Sequence, residues 1–232
     1  MMKKLISVLA AALLTASAAY AQFGVIGGFT SSSTSINTKD IMANLNGVSL
    51  WHVGAAYRVE LGSFFALQPQ LAYQVKGANV GQTITEGTYQ NAMQSFYSNT
   101  GYLELSLGLQ AGVDLLVFRP YFLFEPFIGY AVNPGTENYN ITGEGILNGS
   151  VSKEDINAAV ASVKNKLEYG FGIGAGIHLL DHFQVSLQWF MNLGSLYDNG
   201  KIDGEAKLAT VKDSYQNIKN YQGLKLTLGL FF

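Results

Sequence analysis

The chain has no cysteine and carries unusually little charge. Without Cys among its 232 residues, it can hold no disulfide framework, no thiolate zinc or iron–sulfur site, no thiol nucleophile and no lipidated N-terminal cysteine. Charged residues make up 13% of the chain, which is about half the share that is usual in a soluble domain. The formal charge is −2 and the few Lys and Arg do not cluster, so the composition argues against nucleic acid as a partner.

Long apolar runs are also missing beyond the N-terminal segment, so no helix there is expected to cross a membrane. At the start, two lysines precede an apolar run from Leu5 to Leu14 and small residues that end in an A-x-A pattern at Ala21. This order is typical of a secretory signal peptide, and the run is too short for a comfortable anchor helix. We predict a signal peptide over residues 1–21, with cleavage after Ala21, and an exported domain over residues 22–232.

The rest of the chain alternates between apolar and small or polar residues with a period of two. Between Leu167 and His178, the odd positions are Leu, Tyr, Phe, Ile, Ala and Ile, whereas the even positions are Glu, four glycines and His. Such alternation places the two kinds of side chain on opposite faces of a β-strand. Eight segments share it: 23–30, 51–60, 65–76, 102–113, 121–132, 167–178, 183–192 and 223–232. Each is close to the roughly 9–11 residues that a tilted strand needs to cross a bilayer.

The connections between these segments alternate in length. Three are short, near 61–63, 114–120 and 179–182, and four are long, around 31–47, 77–99, 133–166 and 197–220. An even number of strands, with short turns on one side and long loops on the other, is typical of outer-membrane barrels. We therefore predict an all-β fold, an eight-stranded antiparallel up-and-down transmembrane β-barrel with short periplasmic turns and long outer loops. Pairing within the third or fourth loop would raise the strand number to ten.

Two soluble architectures would also alternate, and both explain the residues less well. A lipocalin-like barrel needs a polar exterior, but the polar face here is rich in Gly, Ala and Ser, which suits a narrow lumen better. A β-sandwich does not explain why aromatic residues stand near the strand ends, where a membrane barrel carries its interfacial girdles. These aromatic residues are Trp51, Tyr73, Tyr102, Tyr121, Tyr130, Tyr169, Phe183, Trp189, Tyr221 and Phe232.

Several charged residues fall on the inward face of the predicted strands. They are Arg58, Lys76, Glu104, Glu125, Glu168 and Lys225. Eight strands enclose a lumen that side chains just fill, and an unpaired charge there is costly. Threading the strands up and down predicts a cluster of Lys225 with Glu104 and Glu168 on the loop side, and a pair of Arg58 with Glu125 on the periplasmic side. Such a network would plug the barrel, whereas a gated ion path is the functional alternative.

No motif indicates catalysis, a cofactor or a metal. The Gly170-x-Gly-x-Gly-x-Gly176 run lies within a strand and opens no helix, so we interpret it as a smooth inner wall against which Phe127 and Phe190 pack. His178 and His182 have a ligand-like spacing, but a turn separates them. No local signature marks a Ser nucleophile. We predict a protein that is not an enzyme and has no cofactor.

One stretch of the third loop is predicted to be helical. Ser152-x-x-Asp155 has the form of a capping box, and Ile156, Ala159, Val160 and Val163 follow at i, i+3, i+4 and i+7 spacing. The helix would close the barrel mouth, or it would contact a partner.

Several stretches resemble the outer-membrane β-barrel domain family that includes the PorT-like proteins of Bacteroidetes. They are Leu67-Gln-Pro-Gln-Leu-Ala-Tyr-Gln-Val-Lys-Gly77, Tyr102-Leu-Glu-Leu105, Arg119-Pro-Tyr121 through Pro126-Phe-Ile-Gly129, and Glu168-Tyr-Gly-Phe-Gly-Ile-Gly-Ala-Gly176. The closing Leu224 to Phe232 looks like the terminal signal that the barrel-assembly machinery reads, carried by Leu228, Leu230 and Phe232. The resemblance implies a location in the cell outer membrane, with membrane lipid and that machinery as partners. Likeness to PorT would imply a part in protein secretion.

Three functions are compatible with these features. The leading hypothesis is a non-enzymatic barrel that presents surface loops to a protein partner, for adhesion, secretion or envelope integrity. A small pore or uptake channel is the alternative and requires a wet path past the lumen charges. A lipid- or peptide-hydrolysing enzyme of the outer membrane is the third, and it lacks a recognisable catalytic signature.

Overall fold

Ten strands and two helices make up the described part of the chain. A computed structural model describes residues 21–36, 43–46, 48–83, 93–133, 135, 137–142, 153–204 and 218–232. The strands are β1 (Ala21–Ile36), β2 (Ala43–Asn46), β3 (Val48–Leu61), β4 (Phe65–Thr83), β5 (Met93–Gly112), β6 (Phe118–Asn133), β7 (Glu137–Thr142), β8 (Leu167–Leu179), β9 (Phe183–Asn192) and β10 (Ile218–Phe231). The helices are α1 (Lys153–Val163) and α2 (Asn199–Gly204). Residues 1–20 of the predicted signal peptide lie outside the described residues, so that peptide stays a prediction.

Eight of the strands close into an antiparallel barrel, as predicted. Consecutive strands pair around the wall in the order β1, β3, β4, β5, β6, β8, β9 and β10, and β10 pairs with β1 from Gly24–Phe231 to Ile36–Ile218. The short strands β2 and β7 do not widen the barrel. β2 pairs with the part of β4 that extends past its pairing with β3, and β7 pairs with the part of β5 that extends past its pairing with β6. Each short strand therefore occupies the same place in the wall as β3 or β6, beyond the end of that strand.

Short turns and long loops emerge at opposite ends of the barrel, which we call the turn end and the loop end. At the turn end, residues 62–64, 113–117 and 180–182 join neighbouring strands. Gly62 (φ 74°), Leu116 (φ 55°) and Leu180 (φ 51°) adopt left-handed backbone conformations there, which reverse the chain over a few residues. The four long connections predicted from the sequence belong to the loop end.

The wall is higher on one side of the loop end. β4 has 19 residues and β5 has 20, and they stay paired up to Thr83–Met93, whereas β9 has only 10. β2 and β7 flank this ribbon, so β2, residues 79–83, residues 93–98 and β7 form a four-stranded extension that we call the projecting sheet. At about 3.3 Å per residue, its strands add roughly 15–20 Å to the wall.

The side chains are arranged inside out relative to a soluble protein. Along β9, Gln184, Ser186 and Gln188 are buried in the lumen, whereas Phe183 and Leu187 are about half exposed on the outer wall. The same alternation recurs in the other barrel strands, where large apolar side chains face outwards. This excludes the lipocalin-like alternative, whose exterior would be polar. Among the helices of the described ranges, none has the length and apolarity needed to cross a bilayer.

Candidate functional site

A buried ion cluster occupies the loop-end side of the lumen. The Lys76 ammonium on β4 donates hydrogen bonds to Glu104 Oε2 on β5, at 2.8 Å, and to Glu168 Oε1 on β8, at 2.9 Å. Asn192 on β9 donates to the other oxygen of Glu168. All four side chains are buried. The cluster therefore ties four strands together across the lumen.

A second ion pair lies nearer the turn end. Lys225 on β10 donates to Glu125 Oε1 on β6 at 2.6 Å, and the amides of Gln70 and Gln188 donate to the same carboxylate at 2.7 and 3.0 Å. Lys225 Nζ is also 3.9 Å from Glu104 Oε1, which connects the two clusters. We call Lys76, Lys225, Glu104, Glu125 and Glu168 the lumen ion network.

The structure brings together five of the six charged residues that were predicted to face inwards, namely Lys76, Glu104, Glu125, Glu168 and Lys225. The expected contact of Lys225 with Glu104 is present, but the cation that contacts Glu168 is Lys76. The alternation had placed Lys76 in the lumen without giving it a partner. Its partners depend on how far each strand is shifted against the next.

The predicted pair of Arg58 with Glu125 is wrong. Arg58 Nη2 lies 3.2 Å from Glu60 and donates to Gln22, and the guanidinium sits 5.5 Å from the centre of the Phe231 ring. The strand register is the reason. Arg58 is opposite Gln22 at the start of β1, close to the turn end, whereas Glu125 reaches the level of Lys225 in the middle of the lumen.

Uncharged amides fill the turn-end part of the lumen. Gln110 donates to Gln68 at 2.8 Å, Gln68 donates to Gln184 at 3.1 Å, and Gln184 donates to the Tyr121 hydroxyl at 2.6 Å. His178 stacks on Tyr121 with 4.8 Å between ring centres. Sequence reasoning had not assigned this layer, although inward-facing glutamines at alternate positions were its signal.

A cavity of about 400 Å³ opens below this layer at the turn end. Arg58 and Arg119 line it together with the acidic residues Glu60, Asp114 and Asp181. Arg119 Nε is 3.1 Å from Asp114, so both guanidinium groups at this mouth have a carboxylate neighbour. The two guanidinium groups that line this cavity are therefore each held in place by an ion pair.

An aromatic layer surrounds the ion cluster. The Lys76 ammonium lies 4.1 Å from the centre of the Phe127 ring, 5.0 Å from that of Phe190 and 5.7 Å from that of Tyr102. Phe127 packs against Gly170, where an added Cβ would come within 2.7 Å of the ring, so this part of the glycine run provides the predicted inner wall. The three rings fill the lumen at the level of the cluster.

Helices α1 and α2 close the loop-end mouth. The predicted helix is present as Lys153–Val163, and Val160 and Val163 are buried in one apolar cluster with Tyr197 of the following loop and Ile202 of α2. Lys164 donates to Ser98 of β5 at 2.9 Å, which attaches the end of α1 to the wall. The predicted cap residue Ser152 lies outside the described residues. The position of α1 agrees with the expected closure of the mouth.

The residues of the predicted assembly signal lie on the outer wall at the turn end. Leu228 and Leu230 face outwards from β10, and Phe232, which follows the strand, is exposed. The Phe232 amide donates to the Phe23 carbonyl at 2.8 Å, so the chain end stays attached to β1. Recognition of these residues by the barrel-assembly machinery stays a prediction.

The histidines do not form a shared site. His178 is buried in the lumen and contacts Gln110 at 3.1 Å, whereas His182 is exposed in a turn and contacts the Leu180 carbonyl. His52 lies between the hydroxyls of Thr30 and Thr227, at 3.2 and 3.1 Å. Within the described ranges, no three His, Asp or Glu side chains converge in a group that could hold a metal ion.

The chain is similar to one described protein family and to several solved structures. The sequence model of a family described as "Outer membrane protein beta-barrel domain" matches residues 12–198. Among solved structures, the chain is similar to Ail, the attachment invasion locus protein of Yersinia pestis, at 11% identity and a TM-score of 0.39, covering 91% of this chain and 98% of that one.

Two further structures are similar at the same level. Neisserial surface protein A has 8% identity and a TM-score of 0.38, covering 90% of this chain and 97% of that one. OprG from Pseudomonas aeruginosa has 13% identity and a TM-score of 0.40, covering 91% and 95%. No curated protein sequence gives a significant match.

Proposed function

The chain belongs to the outer membrane protein β-barrel domain family, and we propose that it is a non-enzymatic scaffold of the outer membrane that presents its outer loops and projecting sheet to a protein partner. The family match spans residues 12–198. In barrels of this kind, the short turns face the periplasm and the long loops face outwards. The projecting sheet then extends the outer side of the wall, where a partner would meet it.

The filled lumen is the observation that carries this proposal. Three successive levels are occupied by buried side chains: the glutamine layer with Tyr121, the lumen ion network with its aromatic rings, and the α1–α2 closure. Conduction needs a continuous path of weak sites, and a narrow eight-stranded barrel leaves little room beside such contents. A rigid, filled barrel suits the holding of loops better than transport.

We expect the purified, refolded barrel to be silent in a planar lipid bilayer. Replacement of Lys76, Glu104 and Glu168 together by alanine shortens three plugging side chains at one level, but the glutamine layer and the α1–α2 closure remain, so this variant should also be silent. The matched variant Lys76→Met/Glu104→Gln/Glu168→Gln keeps their volume and should stay silent. Single-channel recording on protein whose insertion is verified by heat-modifiable migration checks all three. A steady open current in the unmodified barrel would contradict the scaffold proposal and favour the small-pore alternative.

We expect the barrel to fold independently of its outer loops. Replacing residues 143–150 and 205–217 with short Gly-Ser linkers should change the free energy of unfolding by less than about 1 kcal/mol, since loop length weakly affects stability. The same variants should lose capture of the protein partner, which a pull-down from the native envelope would measure. Loss of heat-modifiable folding in these variants would count against the separation of scaffold and loops.

Secretion, adhesion and envelope integrity are the roles we consider for the partner complex. Membership of the PorT-like branch would favour secretion. The proposed export by a signal peptide is tested by the N-terminal sequence of the protein recovered from outer membranes, which should begin at Gln22.

A further inference from the structure

The outer wall carries an uneven row of side chains in its turn-end half. Backbone partners across five neighbouring strands connect Phe65 of β4, Ala111 of β5, Phe122 of β6, Ala175 of β8 and Leu187 of β9. All five face outwards, and they alternate between large and small. Elsewhere along β5, the outward positions from Leu103 to Leu109 are all leucine. The two alanines therefore interrupt an otherwise bulky surface.

Phe122 lies between Ala111 and Ala175 on the outer wall. Its side chain is 77% exposed, whereas Phe124, two residues further along the same face, is 44% exposed. The difference follows from the neighbours, because a methyl group on each flanking strand covers little of the Phe122 ring. Phe64 and Phe65, which are 61% and 59% exposed, rise on the other side of Ala111. Phe122 and these two rings form the sides of a groove.

This groove has the volume of a small-molecule site and an apolar lining. Its volume is about 540 Å³, within the range of roughly 300–1,000 Å³ that is typical of small-molecule sites. Its lining includes Phe64, Phe65, Ala111, Val113, Phe122 and Ala175, and it contains no charged residue. The one hydroxyl among the lining residues, that of Tyr121, is held within the lumen by Gln184. The groove therefore offers apolar contact alone.

We infer that this groove binds an acyl chain of one phospholipid more tightly than the rest of the wall does. The groove is continuous with the lipid-facing surface of an outer-membrane barrel, so hydrocarbon chains already lie against its edges. An apolar chain leaves no polar group unpaired there, which distinguishes it from an extended peptide strand. The turn-end position places the chain in the leaflet that faces the periplasm.

Native mass spectrometry tests the inference on the full barrel. The protein is refolded in vesicles of dioleoylphosphatidylcholine and transferred to detergent, and the lipids that remain bound are counted. We expect about one retained lipid. Ala111→Leu should reduce retention roughly tenfold, since each lost methylene contact weakens binding about fourfold. Ala55→Leu adds the same volume to the outward face of β3, away from the groove, and should leave retention unchanged.

A second measurement locates the lipid even if Ala111→Leu folds poorly. Trp51 and Trp189, the two native tryptophans, are replaced by Phe, and a single reporter is placed by Phe122→Trp or Ile128→Trp. After refolding in vesicles containing a small fraction of phospholipid with brominated chains, and transfer to detergent, quenching should persist at position 122 and disappear at position 128. Equal quenching at positions 122 and 128 would overturn the inference. Equal lipid retention in the wild type, Ala111→Leu and Ala55→Leu would also overturn it. A dimer that Ala111→Leu dissociates would also overturn it, because the occupant would then be a second copy of the chain.

Discussion

Replacing Lys76 with methionine should destabilise the barrel by about 3–5 kcal/mol, the cost of removing one partner from a buried ion pair. Methionine keeps much of the volume but removes the ammonium between Glu104 and Glu168, whose oxygens lie 2.8 and 2.9 Å from it. Two carboxylates would then share the lumen without that cation. Denaturant unfolding in lipid vesicles, followed by the fluorescence of the native tryptophans, measures the change in the free energy of unfolding.

The charge imbalance, and not the shape of the side chain, should cause this loss. The combined variant Lys76→Met/Glu104→Gln/Glu168→Gln removes the cation and both carboxylates together, so we expect it to recover to within about 1–2 kcal/mol of the wild type. Lys201→Met is the surface control, because Lys201 is exposed and its contact with Asp198 spans 3.7 Å. It should change stability by no more than about 0.5 kcal/mol. A combined variant as unstable as the single one would refute this explanation.

Gly28→Ala should prevent proper closure of the barrel between β1 and β10. An added Cβ at Gly28 would lie 1.9 Å from the backbone oxygen of Leu226 and 3.0 Å from the His52 ring. The paired backbones would have to separate, and His52 would lose its place between Thr30 and Thr227. We expect a loss of about 3 kcal/mol or more, at the upper end of overpacking effects, and reduced heat-modifiable migration on gels.

The neighbouring residue supplies the matched control. Gly27 points outwards on the same strand, and its added Cβ would meet nothing nearer than the His52 carbonyl oxygen at 3.3 Å. Gly27→Ala should therefore cost less than about 1 kcal/mol and leave migration unchanged. If both variants migrate as the wild type does, the close contact between β1 and β10 does not require glycine at position 28.

The fold was largely predictable because the strand period of a membrane barrel reflects its architecture directly. Each residue of a crossing strand faces either lipid or lumen, so Leu103, Leu105 and Leu107 had to face one way and Glu104 and Ser106 the other. The short and long connections then indicated which ends of the strands are turns. The helix at Lys153–Val163 was predictable for the same kind of reason, from the spacing of the apolar residues that it buries.

The partners within the lumen were less predictable, because pairing depends on the shift between strands. Starting at Phe65 on β4 and moving from each residue to its backbone partner on the next strand, the path around the barrel ends at Trp51 on β3. Because His52 of β3 pairs with Gln74 of β4, Trp51 lies level with Val75 of β4. From Phe65 to Val75 the wall is therefore sheared by ten residues. Threading that ignores this shear put Arg58 beside Glu125 and overlooked Lys76 as the partner of Glu168.

The sequence by itself determined which side chains face lipid and which fill the lumen, because a period of two needs no knowledge of neighbouring strands. Only the tertiary structure decided which lumen charges meet, where Ala111 and Ala175 leave a groove beside Phe122, and that β4 and β5 extend the wall. These features arise from residues far apart in the chain, and the shear of the closed sheet sets their relative heights. The alternation in the sequence shows on which face of the sheet each side chain lies, but not at which level along the barrel axis.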